Sequence, residues 1–192
     1  MIFHETPLKG AYAVELEPHC DDRGQFARGW CRDEFARQGI DVEMVQGNVS
    51  INPVRGTLRG LHWQAEPHGE AKLVRCVRGA IFDVIVDIDP ASSTCHEWFG
   101  VELSPHGLRM LYIPPGFAHG FQTLCDDAEV NYLVSTPYAA PAGRGLRYDD
   151  PALAIRWPLP VSRISKQDTS WPLIGSTDAR SASLRLQPGL GQ

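Results

Sequence analysis

Leu58-Arg59-Gly60-Leu61-His62-Trp63-Gln64, with Lys72-Leu73-Val74-Arg75 and Pro114-Pro115-Gly116-Phe117-Ala118-His119-Gly120-Phe121 after it, decides how the rest of this chain reads. These stretches set histidine, lysine and arginine into apolar, strand-like runs broken by glycine. Successive side chains of a strand point to opposite faces. Alternation therefore sends His62 to one face and its neighbours Leu61 and Trp63 to the other. A solitary histidine on a strand is ordinarily a half-buried, hydrogen-bonded residue. Here Arg59 stands three positions before it and Lys72 opens the next strand. Cations withdrawn from water are costly unless an anion meets them. Several converging in a barrel imply an anionic ligand.

Strand signals dominate the chain. Residues 72–77, 80–88, 98–103, 109–113 and 130–135 are β-branched and aromatic runs. They are divided by Arg78-Gly79, Asp89-Pro90-Ala91-Ser92-Ser93, Ser104-Pro105-His106-Gly107 and Pro114-Pro115-Gly116. This spacing predicts a mostly antiparallel sandwich or barrel. One short helix is expected over 33–39, with Gly39 as a left-handed C-terminal cap. No internal repeat or linker is visible, so residues 1–174 read as a single domain. Residues 175–192, poor in apolar side chains before Leu184, read as a mobile tail.

Composition excludes several classes. A length of 192 residues supports one substantial core, and 43% hydrophobic with 21% charged residues is ordinary for a globular chain. A formal net charge of -5 argues against a nucleic-acid surface, which needs clustered Lys and Arg. No apolar run is long enough to cross a bilayer, and Met1-Ile2-Phe3-His4-Glu5-Thr6-Pro7 lacks a basic-then-apolar leader. A soluble cytoplasmic protein is expected, with no membrane partner. The odd set Cys20, Cys31, Cys76, Cys95 and Cys125 has no close pair of the zinc or thioredoxin type and reads as free thiols in a reducing compartment.

Pro114-Pro115-Gly116-Phe117-Ala118-His119 resembles the P-x-G-x-x-H motif of cupin barrels. Metal-binding cupins also carry H-x-H and a glutamate further on. Here Gln64 stands where the second of those histidines would be, and His68 lies in a Pro-His-Gly turn. Two histidines do not complete a zinc or iron site, so no metal is expected.

Further motifs specify the resemblance: Asp22-Arg23-Gly24, Gln46-Gly47-Asn48-Val49-Ser50, Tyr132 and Ser165-Lys166-Gln167-Asp168 join the stretches above. In this order, from about Leu8 to Leu173, the chain resembles the dTDP-4-dehydrorhamnose 3,5-epimerase family, cupins of deoxysugar biosynthesis without metal or other cofactor. The resemblance implies an all-β fold, a cupin-type jelly-roll barrel with short peripheral helices. It also implies epimerisation beside the ketone of a nucleotide-linked 4-keto-6-deoxyhexose.

Such a reaction needs a base on one face, an acid on the other and a cation or donor at the enolate oxygen. By resemblance His62 is the base and Asp168 the carboxylate that orients its imidazole. Lys72 holds the C4 oxygen, and Tyr132 returns a proton from the opposite face. Each has a plainer reading: Lys72 as a strand-end surface residue, Tyr132 as a packing aromatic, Asp168 as a helix or turn cap.

The resemblance further assigns Arg23, Arg59 and His119 to the diphosphate. Gln46 and Asn48 fall to the sugar or base, and Phe26 and Tyr138 to the faces of the base. Arg23 and Phe26 belong in the family to a neighbouring subunit, which implies a homodimer. Where well-known members carry a thymine-holding glutamate, this chain has Arg28, so another nucleotide is open, as is inversion of one carbon rather than two. Three rivals stand beside the epimerase: a nucleotide-sugar 3,4-ketoisomerase on the same barrel, a non-catalytic sugar-nucleotide-binding cupin, and a metal-dependent dioxygenase, which Gln64 weakens.

Overall fold

The apolar runs of the sequence become strands, and the charged residues set into them decide what the strands enclose. The computed structural model describes residues 1–175. The expected tail falls, from Ser176 onward, outside the described residues. In chain order the strands are β1 (Ile2–Glu5), β2 (Tyr12–Glu15), β3 (His19–Asp21), β4 (Gly24–Phe26), β5 (Gln46–Asn52), β6 (Leu58–Gln64), β7 (Lys72–Arg78), β8 (Ile81–Asp87), β9 (Trp98–Leu103), β10 (Arg109–Ile113), β11 (Phe117–Thr123), β12 (Ala128–Val134) and β13 (Gly143–Gly145). The helices are α1 (Arg32–Arg37) and α2 (Lys166–Ser170). α1 carries Asp33 and Glu34 in its first turn and Arg37 in its last, which suits the helix dipole. Gly39 follows it at φ +78°.

Strands pair antiparallel in a six-stranded sheet, β1-β2-β10-β7-β12-β5, and a five-stranded sheet, β13-β6-β11-β8-β9. β3 and β4 form a separate hairpin. The two sheets face each other across one core, to which the first gives Val74, Cys76, Leu111, Ile113 and Val130 and the second Ile81, Ile85, Leu103, Phe117 and Phe121. Phe35 of α1 closes the outer side of the large sheet over Leu73, Met110 and Tyr112. Leu153, Ile155 and Trp157 cover the outer side of the small sheet over Leu61, Val84, Val86 and Ala118. Among the described residues no helix is long and apolar enough to cross a membrane, and all five cysteines are free.

Arg59 and His62 sit an odd number of positions apart, so strict alternation would aim them at opposite faces. A bulge resolves this. On β11, His119 pairs with His62 but Phe121 pairs with Arg59, so β6 carries one extra residue between the two rows. Both side chains then turn inward, while Leu61 and Trp63 pack outward as alternation from His62 requires. Glycine makes the bulge possible. Gly60 adopts φ +124°, and a Cβ there would lie 2.5 Å from the Gly120 Cα on the facing strand. Gly60→Ala is expected to lower unfolding free energy by at least the ~1–3 kcal/mol that one strained backbone position costs. Urea titration of the two proteins measures the difference.

Candidate active site

A cavity of about 680 Å³ opens between the sheets, lined by Arg59, His62, Lys72, His119, Tyr132 and Asp168 among others. Its walls come from different strands. His62 and Arg59 stand on β6 and His119 on β11, all in the five-stranded sheet. Lys72 on β7 and Tyr132 on β12 belong to the six-stranded sheet. The histidine and the phenol thus enter from opposite walls.

Asp168 reaches His62 across 106 positions of sequence. The segment after β13 brings it there. Arg163 bridges Thr57 beside the start of β6, and Ser165 then caps α2, its hydroxyl accepting from the Asp168 backbone N–H at 3.0 Å. The cap leaves the Asp168 carboxylate for the cavity. One oxygen lies 2.5 Å from His62 Nε2 and the other accepts from the Gly60 N–H at 3.4 Å. Burial alone would raise the Asp168 carboxyl, but the His62 hydrogen bond and charge, with the Gly60 N–H, outweigh it and hold it below the usual range. With its folded value depressed, Asp168 adds stability above an unfolded value of about 3.9, and this is lost as pH falls through the folded value. When the ring N–H facing Asp168 donates, the other nitrogen keeps a lone pair. That is the arrangement of an oriented base.

The phenol is tuned the other way. Burial, then the nearby Glu70 charge, raise the Tyr132 pKa against a smaller opposing effect of Arg59. A phenol so placed keeps its proton at neutral pH. Lys72, 8% exposed, donates to the His62 backbone carbonyl at 3.3 Å and pairs with Glu70 at 3.1 Å. His119 faces the fully buried Asp83 at 2.7 Å, and Arg59 Nε donates to Asn52 Oδ1 at 2.7 Å.

Six of the residues expected from the sequence therefore meet here. Gln46 and Asn48 stand beside the cavity on β5, bonded to each other at 2.8 Å, in register with Val134 and Tyr132. Arg23, Phe26 and Tyr138 do not line it. Arg23 is bound to Asp21 within the β3–β4 hairpin, and Phe26 and Tyr138 are 74% and 70% exposed. Arg75, quoted with Lys72 in one motif, faces the outside of the large sheet near Gly29. Among the described residues no His, Cys, Asp or Glu cluster has the makings of a metal site, and Gln64 spends its amide on Glu70, His68, Pro137 and Ala139.

Sequence reading missed the partners: Glu70, Asp83 and Asn52. Asp83 had a signal, an acid in the middle of the apolar run Ile81–Asp87. Glu70 and Asn52 had none beyond being polar. Missed too was the packing that seats α2. Gly145 pairs with His62, and a Cβ on it would meet the Trp171 ring at 2.2 Å, so the residue closing α2 packs against the strand beside His62.

The class that fold and site define is a two-sheet, cupin-type barrel with a carboxylate-bonded histidine on one inner wall and a phenol on the other. The family profile of dTDP-4-dehydrorhamnose 3,5-epimerase matches residues 5–176, and the chain belongs to that family. It is 45% identical over 173 residues to the dTDP-4-dehydrorhamnose 3,5-epimerase of Sinorhizobium fredii, covering 90% of this chain and 89% of that one. The epimerase from Bacillus anthracis, solved with TDP and PPi bound, superposes with a TM-score of 0.87 at 38% identity over 90% of this chain and 99% of the other. The Legionella pneumophila enzyme in complex with dTDP-4-keto-L-rhamnose gives 0.86 at 35% identity over 93% and 95%. These relatives share the cupin-like jelly roll.

Gly145→Ala is expected to push Trp171 and α2 outward, costing about 1–3 kcal/mol as overpacking does. It also removes the low-field imidazole proton of the His62–Asp168 hydrogen bond from the NMR spectrum. Gly143→Ala, where the nearest atom would be an ordinary 3.4 Å away, serves as the control and leaves both unchanged.

Proposed function

We propose that this chain is a cofactor-independent isomerase that inverts C3 and C5 of a nucleotide-linked 4-keto-6-deoxyhexose, turning dTDP-4-dehydro-6-deoxyglucose into dTDP-4-dehydrorhamnose. The observation that carries the reading is the pair of opposed walls: His62 held by Asp168 on one sheet, and Tyr132, kept protonated, on the other. Binding alone has no use for a base and an acid on opposite faces.

His62 takes the proton from a carbon next to the C4 ketone. The C–H electron pair becomes a C=C bond and the carbonyl pair moves onto oxygen, giving an enolate that the Lys72 ammonium stabilises. Tyr132 then gives its proton to the opposite face of the carbon, the C4=O bond re-forms, and solvent resets both residues. One ketone acidifies both neighbours, so a single site serves C3 and C5. No redox step or metal is called for.

Arg59 and His119 meet the diphosphate in this reading, with Gln46 and Asn48 on the sugar or base and Tyr138 on a face of the base. A second copy of the chain supplies Arg23 and Phe26. A homodimer is supported by the unpaired edge strand β5, whose Val49 and Ile51 are 66% and 64% exposed, and by the exposed Phe26. Residues 1–174 act as one cupin epimerase domain, and the enzyme works in the cytoplasm on a small sugar nucleotide.

Incubation with dTDP-4-keto-6-deoxyglucose in deuterated water tests the reading through the carbons that exchange. His62→Ala is expected to bind nucleotide normally while exchange falls ~10²–10⁴-fold, the usual worth of a positioned base. Tyr132→Phe is expected to keep exchange with retention while losing net inversion. Equal loss of both would make Tyr132 a binding or packing residue.

Arg28 bears on the nucleotide. Its guanidinium donates to Glu34 at 2.7 Å and has no lone pair for the thymine N3–H. Affinity then rests on the diphosphate and stacking contacts, and dTDP is expected to be preferred to UDP by less than about tenfold, or 1.4 kcal/mol, in calorimetric titrations.

A further inference from the structure

We propose that Glu70 is the positioning residue that fixes the Lys72 ammonium for reaction, and that Gln64 holds Glu70 in turn. The proposal rests on the epimerase reading above and assigns a role to two residues that reading leaves idle.

An ammonium on a four-carbon stem has three donors and many rotamers. Two of its donors are committed here. One meets Glu70 Oε1 at 3.1 Å and one the backbone carbonyl of His62 at 3.3 Å, which leaves the third for the cavity that Lys72 lines. The cation is thereby set relative to the main chain of the base itself. Both side chains of the ion pair are about nine-tenths covered, at 10% and 11% exposure, so solvent screens the contact little.

Glu70 is not free to follow a wandering lysine. Its second oxygen accepts from Gln64 Nε2 at 3.1 Å. Gln64 is tied down at both ends of its amide, donating to the Pro137 carbonyl at 3.3 Å and accepting from the Ala139 N–H at 2.6 Å. Those two residues flank Tyr138. A chain of direct contacts thus runs from the loop bearing that exposed aromatic, through Gln64 and Glu70, to the cation at the reacting end. The position that breaks the metal-binding pattern of cupins has become a brace.

Stabilising an enolate requires the cation at a set distance from one oxygen, and a misplacement of about 1 Å is worth up to about a hundredfold in rate. Glu70→Gln keeps the shape of the side chain but turns an acceptor into an amide donor toward Lys72 or Gln64. In the exchange assay kcat is expected to fall about ten- to a hundredfold with KM nearly unchanged, because the lost contact is made in the transition state. In a Lys72→Met background the same substitution is expected to have no further effect. A fold-loss equal in both backgrounds would overturn the proposal.

A second readout needs no turnover. With three lysines in the chain, the Lys72 ¹⁵N-ammonium signal can be assigned with Lys72→Met in uniformly labelled lysine. It is expected to be sharp in the ligand-free protein and broadened away by exchange in Glu70→Gln. Failure of the unsubstituted protein to exchange the sugar strikes the epimerase reading alone, since this signal still reports whether Glu70 holds Lys72. An unchanged signal in Glu70→Gln would overturn the proposal.

Discussion

Charge withdrawn from water inside a β-barrel must be met by a partner, and the buried Asp168, His119, Asp83 and Lys72 each have one, while His62 and Arg59 keep a solvent-facing side. His62 has Asp168, His119 has Asp83, Lys72 has Glu70 and Arg59 has Asn52. Each pair joins different elements, so satisfying the charges also fixes how the elements sit. Asp168 draws α2 and the segment before it onto β6. Asp83 locks β8 to β11 below the mouth. Glu70 ties the connection between β6 and β7 to the facing sheet. Removing one partner would leave a buried charge or a bare acceptor, which is why these contacts shape the fold as well as the chemistry.

Division of labour between the sheets follows from the same geometry. A sandwich offers two inner faces about 10 Å apart, and where the side chains leave a cavity a pyranose ring, five carbons and one oxygen, fits between them. His62 on one face and Tyr132 on the other stand where, in the proposed reaction, they reach opposite sides of a carbon held between the sheets. The bulge at Gly60 adds what alternation withholds, a second inward residue on β6, so that Arg59 and His62 share one wall. Glycine is required there on two counts, left-handed backbone and contact with Gly120.

Much of this was legible in the residues. The apolar runs that became β7 to β10 were bounded to within a residue or so at most ends, and α1 within two, because alternation and turn chemistry are local. β5 hid its nature. Its more covered positions Gln46, Asn48, Ser50 and Asn52 are polar and its exposed Val49 and Ile51 are apolar, the reverse of an ordinary strand, and its middle residues 49–51 border the cavity. β1 to β4 and β13 are too short to show a period. Arg59, His62, Lys72, His119, Tyr132 and Asp168, which meet in the cavity, were readable through their motifs, whereas Glu70, Asp83 and Asn52 were not. A partner is defined by where the chain returns, and a linear pattern does not carry that.

The cavity also carries a sign. Arg59 and Lys72 bring two fixed positive charges, and His62 and His119 two imidazoles, to one opening of a chain whose net charge is -5. Two of the anionic partners lie behind them, Asp83 fully buried and Glu70 turned toward Gln64, and Asp168, which shares the cavity wall, is bonded to His62. An entering ligand therefore meets the Arg59 and Lys72 donors with two of the three acids behind the wall. Field lines from a cleft so lined favour an anion. A diphosphate satisfies that field, and the ketone oxygen of an attached sugar becomes a second anion only during reaction. The same row of cations can thus hold one end of the ligand before the chemistry and stabilise the other end while it happens.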